Sequence, residues 1–149
     1  MIAKLKQLFL QDSKQQDPAT LQYKLNLAAA SLLVEVIYAD EDFDQAEAAI
    51  LPELLHQTLQ IEQQEAASLI EAAKQARHDS TSLFEFTAEI NDQFDLEQKK
   101  QLILAMWRVA YADGQLCQFE DQIIRRTADL FYLKHSEIMQ MRNRAMKAS

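Results

Sequence analysis

The stretch Val36-Ile37-Tyr38-Ala39-Asp40-Glu41-Asp42-Phe43-Asp44-Gln45-Ala46-Glu47 closes an apolar run with a cluster of acids. Before it, Leu33, Val36, Ile37 and Asp40 follow the i, i+3, i+4, i+7 spacing that puts them on one face of a helix. After it, Asp44 and Glu47 have the spacing of a capping box in acidic form, opening a helix with Ile50, Leu51, Leu54 and Leu55 on one face. The stretch therefore reads as a turn between two helices. The same pattern returns 73 residues later: Tyr38, Ala39, Asp40, Glu47 and Ile50 fall on Tyr111, Ala112, Asp113, Glu120 and Ile123. With one residue fewer, Leu59, Ile61 and Glu65 fall on Phe131, Leu133 and Glu137. Each copy is a long helix, an acidic turn, a helix, a short link and a helix. Two such units, neither able to bury its apolar face alone, are expected to pack about a pseudo-twofold axis.

Composition points the same way. In 149 residues there are one Gly and two Pro, too few for hairpins, and 48% hydrophobic residues, enough for a sizeable core. The expected fold is all-α, a single compact domain of about seven to eight helices in two pseudosymmetric repeats, residues 21–76 and 94–147. Residues 1–16 are read as an amphipathic helix, with Ile2, Leu5, Leu8 and Phe9 in register, followed by a polar break; residues 17–149 form the main domain. Asp17 and Pro18 mark the N-cap and first position of a helix reaching about Ala39. Pro52 lies inside the next pattern and should kink it or shift its start. Further helices are expected from about Glu62 to Ala76, Ser82 to Asn91, Asp95 to Ala112, Gln118 to Phe131 and Ser136 to Lys147.

The net charge of −8 repels a polyphosphate backbone and argues against nucleic-acid binding. The charge is also uneven: Leu25 to Ala73 holds ten acids and no Lys or Arg, whereas the residues after Asp121 hold six bases and two acids. The apolar run Leu27–Ala39 is too short, and too interrupted by Ser31 and Glu35, to span a membrane. The lone Cys117 has no disulfide partner, so a reducing cytoplasm is the simplest compartment. His56, His78 and His135 are dispersed and lack zinc spacing. With a single Gly, a phosphate loop or nucleophile elbow is excluded, and no catalytic motif stands out.

Asp40, Glu47, Asp113 and Glu120 all sit on helix faces that point toward the core edge. A carboxylate there needs hydrogen bonds or a cation, the more so at a helix C-terminus, where the macrodipole opposes it. Backbone amides can satisfy the acids, Glu47 and Glu120 reaching back to cap their own helices. Alternatively the oxygens can hold a hard divalent cation, Mg²⁺ or Ca²⁺. An EF-hand is rejected, because Gln45 stands where its Gly belongs and Leu51 where its bidentate Glu belongs.

The repeated signature, ADEDFDQAEAAI and ADGQLCQFEDQI, resembles that of the TerB-like tellurite-resistance family over roughly Leu21 to Ala145. The resemblance implies an all-α fold with internal pseudosymmetry, no established catalysis, and an acidic cluster proposed to bind metal, here Asp40, Glu47, Asp113 and Glu120. It also implies a role in metal or oxyanion stress response and an unidentified protein partner. That partner could belong to a membrane-associated complex, since the domain also occurs attached to a membrane-anchored J-domain co-chaperone. Glu41 replaces the usual Gly of the motif, and Cys117 takes a helix-capping position. The other readings are a purely structural interaction or homodimer module whose acids only cap helices, and a small paired-carboxylate hydrolase. The apolar stripe of MIAKLKQLFL could close the core, exchange into a dimer or touch a membrane surface; core closure is the expectation.

Overall fold

The computed structural model describes residues 17–39, 45–78, 83–112, 114 and 116–148. The expected N-terminal helix, the acids Asp40, Glu41, Asp42, Asp44 and Asp113, and the Asp44 half of the capping box lie outside the described residues. Among the described residues there are eight helices and no strand: α1 Pro18–Ile37, α2 Gln45–Ala49, α3 Leu51–Leu59, α4 Gln63–His78, α5 Leu83–Gln93, α6 Leu96–Ala110, α7 Gln118–Leu130 and α8 His135–Ala148.

α1 starts where Asp17 accepts a hydrogen bond from Thr20 N at 2.7 Å and Pro18 supplies a preset φ. It is apolar nearly all round, and Leu27 to Ala30, Leu32, Leu33, Val36 and Ile37 are almost wholly buried. Each fully buried Leu or Ile contributes about 1.5–3 kcal/mol relative to exposure. α6 has the same character, with Leu102 to Trp107, Val109 and Ala110 buried, and it starts from a complete capping box between Asp95 and Gln98. These two helices pack on each other and form the centre. Around them the contacts come in matched sets. α4 lies on α1 as α8 lies on α6, and α3 crosses to α6 as α7 crosses to α1. This is the pattern that exchange of two equivalent copies requires.

Backbone detail repeats as well. α1 and α6 end on Tyr38 (φ −94°, ψ 12°) and Tyr111 (φ −92°, ψ 4°). In each case the next alanine donates to a valine carbonyl at 3.2 Å: Ala39 to Val36, Ala112 to Val109. The short links after α3 and α7 turn at Gln60 (φ 58°) and Tyr132 (φ 62°), 72 residues apart. Each is followed by a buried apolar residue, Ile61 or Leu133. A left-handed residue is a usual helix stop, but Gly is its usual occupant.

Three elements depart from the simple reading. Pro52, having no N–H to donate, occupies the first turn of α3, so the one helix expected after the acidic turn is two, α2 and α3, separated at Ile50. α5 has no counterpart in the repeat. It is tied to α1 by the ion pair between the wholly buried Lys24 and Glu89 at 3.3 Å, and to α7 by Asn91 Nδ2 donating to the Leu130 carbonyl at 2.6 Å. Trp107, Phe86 and Phe131 are core residues, as their helical register suggests, but Phe119 is 47% exposed. The Phe84 side chain lies outside the described residues.

Two predictions follow from these helix ends. Tyr132 is 82% exposed and strained, so Tyr132→Gly should raise stability by about 1 kcal/mol in urea unfolding; a loss would mean that the ring packs. The Thr20 amide holds the Asp17 carboxyl below its ordinary value of 3.8. The folded state is then the weaker proton binder, so the contribution is present above the ordinary value and is lost as pH falls through the folded one. Asp17→Asn keeps a good cap but removes this titration, and urea midpoints should fall less on acidification than those of the parent chain.

Candidate functional site

Both acidic turns leave from the C-terminal ends of the central helices α1 and α6. The second turn is closed by Gly114, whose amide donates to the Tyr111 carbonyl at 2.9 Å with φ at 85°, a conformation for which Gly is suited. Of the four acids singled out in the sequence, Asp40 and Asp113 lie outside the described residues. Glu47 and Glu120 are described, and both are buried, 3% and 4% exposed, at equivalent positions of the two copies. Glu47 sits on α2, which packs against α6. Glu120 sits in the first turn of α7, where Oε1 accepts from the Cys117 amide at 3.0 Å while Cys117 Sγ accepts from Phe119 N at 3.4 Å. Cys117 thus serves as an N-cap in a Cys-x-x-Glu capping box, and the helix-capping role expected of Glu120 is present.

Each turn also has an arginine, which the sequence reading missed. Arg77, at the end of α4, lies 4.5 Å over the Tyr38 ring and 3.5 Å from Glu35. Arg142, on α8, donates from Nε to the Tyr111 hydroxyl at 2.9 Å and lies 5.9 Å from the Trp107 ring. The Arg142 guanidinium is partly buried at the end of α6. In both copies, then, the last helix of the repeat lays an arginine on the tyrosine that precedes the acid. A cation at a helix C-terminus complements the macrodipole, and an arginine over an aromatic ring adds about 0.5–1 kcal/mol at exposed sites. Burial pushes the Glu35 carboxyl up, with the Arg77 charge pulling the other way. The arginines occupy different register positions on α4 and α8, so the 73-residue alignment cannot bring them together. The signal available in sequence was that Lys74 and Arg77 are the first bases after the long acidic stretch.

Beside the second turn a cavity of about 340 Å³ opens between the copies, lined by Ile50, Glu53, Leu54, Gln57, Arg108, Ala112 and Ala145. Arg108 reaches across it to Gln57 Oε1 at 3.4 Å. Among the described residues no three His, Cys, Asp or Glu side chains gather as a metal-holding group. The three histidines are exposed, His56 Nδ1 lying 2.7 Å from the Ile61 carbonyl. No described helix is long and apolar enough to cross a membrane.

The fold and its paired turns define an all-helical module built on a doubled acidic motif. The family model of the tellurite resistance protein TerB matches residues 26–143, and the chain belongs to that family. The crystal structure of a protein of unknown function from Porphyromonas gingivalis is similar, with a TM-score of 0.63 over 84% of this chain and 95% of that one; at 20% identity the likeness shows the fold. No curated protein matches the chain.

The cap geometry makes a test. Gln at position 120 can still accept from the Cys117 amide, whereas Ala cannot. In chelator, Glu120→Gln should unfold within about 0.5 kcal/mol of the parent and Glu120→Ala about 1 kcal/mol or more below it, by urea denaturation.

Proposed function

We propose that the chain is a non-enzymatic TerB-type binding module whose two acidic turns hold a divalent cation, Mg²⁺ or Ca²⁺, in the response to metal or oxyanion stress. The observation that carries this reading is the burial of Glu47 and Glu120 at equivalent positions, 3% and 4% exposed, one in each copy. Their donor set is hard oxygen, which suits these ions and not a thiophilic metal. Asp40 and Asp113 would complete the ligand set. A bound ion would supply positive charge at the negative ends of the two central helices. What the protein contributes is placement: the central pair α1 and α6 fixes the origin of both turns, while Arg77 and Arg142 hold the tyrosines, Tyr38 and Tyr111, on which those helices end. Stress context and an unidentified protein partner rest on family membership.

A second reading has an observation of its own. Glu120 Oε1 already accepts from the Cys117 amide, which favours an interaction or homodimer module whose acids serve as caps. Calorimetric titration of chelator-stripped protein with Mg²⁺, Ca²⁺, Mn²⁺ and Zn²⁺ separates the two. The cation reading expects saturable heat with Mg²⁺ or Ca²⁺ that vanishes in Asp40→Asn/Asp113→Asn. Absence of heat in the parent chain sinks it and leaves the capping reading.

A further inference from the structure

The first two turns of α1 and the facing side of α4 leave a groove of about 600 Å³, whose walls include Ala19, Tyr23, Ile61, Glu65, Ser68 and Leu69. That volume lies within the range of about 300–1,000 Å³ typical of ligand sites. Its floor is apolar, with Ile61 and Leu69 buried, and Tyr23 at 44% exposure forms part of its rim. One acid, Glu65, stands in its lining beside the neutral amides Gln22, Asn26 and Gln64, and none of the lining residues is basic.

We propose that this groove is a docking site for the chain's own N-terminal segment Met1–Leu10, which covers it in cis. The segment has the matching chemistry. Ile2, Leu5, Leu8 and Phe9 make an apolar stripe at helical spacing, Lys4 and Lys6 are its charges, and it contains no acid. Attachment favours it over any free partner, because α1 begins at Pro18 and Ala19 already lines the groove. Ten helical residues span about 15 Å, while the six residues Gln11–Gln16 extend up to about 20 Å. The segment can therefore turn back and lie along α1's first turns. Tethering gives an effective concentration on the order of 1 mM, so a seat with a free-peptide Kd of about 100 µM is filled about 90% of the time. Such a contact holds the groove closed yet can be displaced by a stronger partner. It is independent of whether the acidic turns hold a cation.

The test uses a fluorescein-labelled peptide of the Met1–Leu10 sequence and the full chain. In the Leu5→Glu/Leu8→Glu variant the tethered segment no longer competes, so the peptide should bind saturably by anisotropy, and about tenfold more weakly to the parent. Equal binding to both, or no binding to the variant, overturns the proposal. So does a parent chain that sediments as a dimer when the variant is a monomer, which would mean exchange in trans. A second measurement does not rely on that variant: Ser68→Arg, at an exposed wall position, should repel the lysines and speed tryptic cleavage after Lys4 and Lys6 severalfold. Unchanged cleavage rates would count as refutation.

Discussion

Everything in this molecule depends on the pairing of two helices that are buried around most of their circumference. α1 and α6 have little face left for water, so each must be wrapped, and the wrapping is done by the remaining helices of both copies. The run Ala28–Ala30 keeps part of α1 narrow where neighbours approach, and Trp107 fills the volume on the α6 side. A helix buried this thoroughly has a difficulty at its end, because its last carbonyls cannot all reach solvent. The matched stops at Tyr38 and Tyr111, with the following alanines turning back to Val36 and Val109, meet that demand twice in the same way. The acidic turns begin where the central helices stop. The motif is therefore first a consequence of how a buried helix terminates.

That origin sets the electrostatics. The C-terminus of a helix is its negative end, and the family motif places an aspartate there and a buried glutamate a few residues on. Arg77 and Arg142 are the visible compensation, each brought from the last helix of its own repeat. Their attachments differ: Arg77 lies on a ring face and beside Glu35, while Arg142 donates to a phenol hydroxyl. The compensating charge is thus fixed by aromatic groups and, for Arg77, by Glu35, which is not an acid of the motif.

How much of this was legible follows from the physics of each feature. Helical periodicity and caps are local, so α1, α6 and α7 could be placed to within two residues from Asp17, Asp95 and Cys117. The repeat was legible because the tyrosine, acids and apolar positions recur at fixed spacing. Gln60 and Tyr132 show what was not: neither is a residue type that announces a left-handed turn, and only the shared register hinted that both links bend alike. Pro52 signalled a disturbance without saying whether the helix would kink or divide. Phe119 misleads because aromatic residues in a helical register usually pack, whereas the Cys117 cap starts α7 so that this ring faces outward. Arg142 could not be found at all from spacing, since the phenol it holds is 31 residues away and the contact depends on how α8 lies across α6.

The repeat has duplicated the backbone without duplicating the charge. Glu41, Asp42 and Asp44 of the first turn stand opposite Gly114, Gln115 and Cys117 of the second. A ligand recognised by net charge would therefore treat the two turns as different sites, whereas one recognised through the shared aspartate and glutamate would treat them as equivalent or span both. The helix start at Cys117 sharpens the contrast, because Glu120 there gives one oxygen to an amide cap and keeps the backbone satisfied without any ion. Two halves built to one plan thus differ in the number of acids that their turns carry. On the cation reading, the single variants Asp40→Asn and Asp113→Asn tell the arrangements apart: loss of binding in both points to a bridge across the pseudo-twofold, and loss in Asp40→Asn alone points to the acidic first turn.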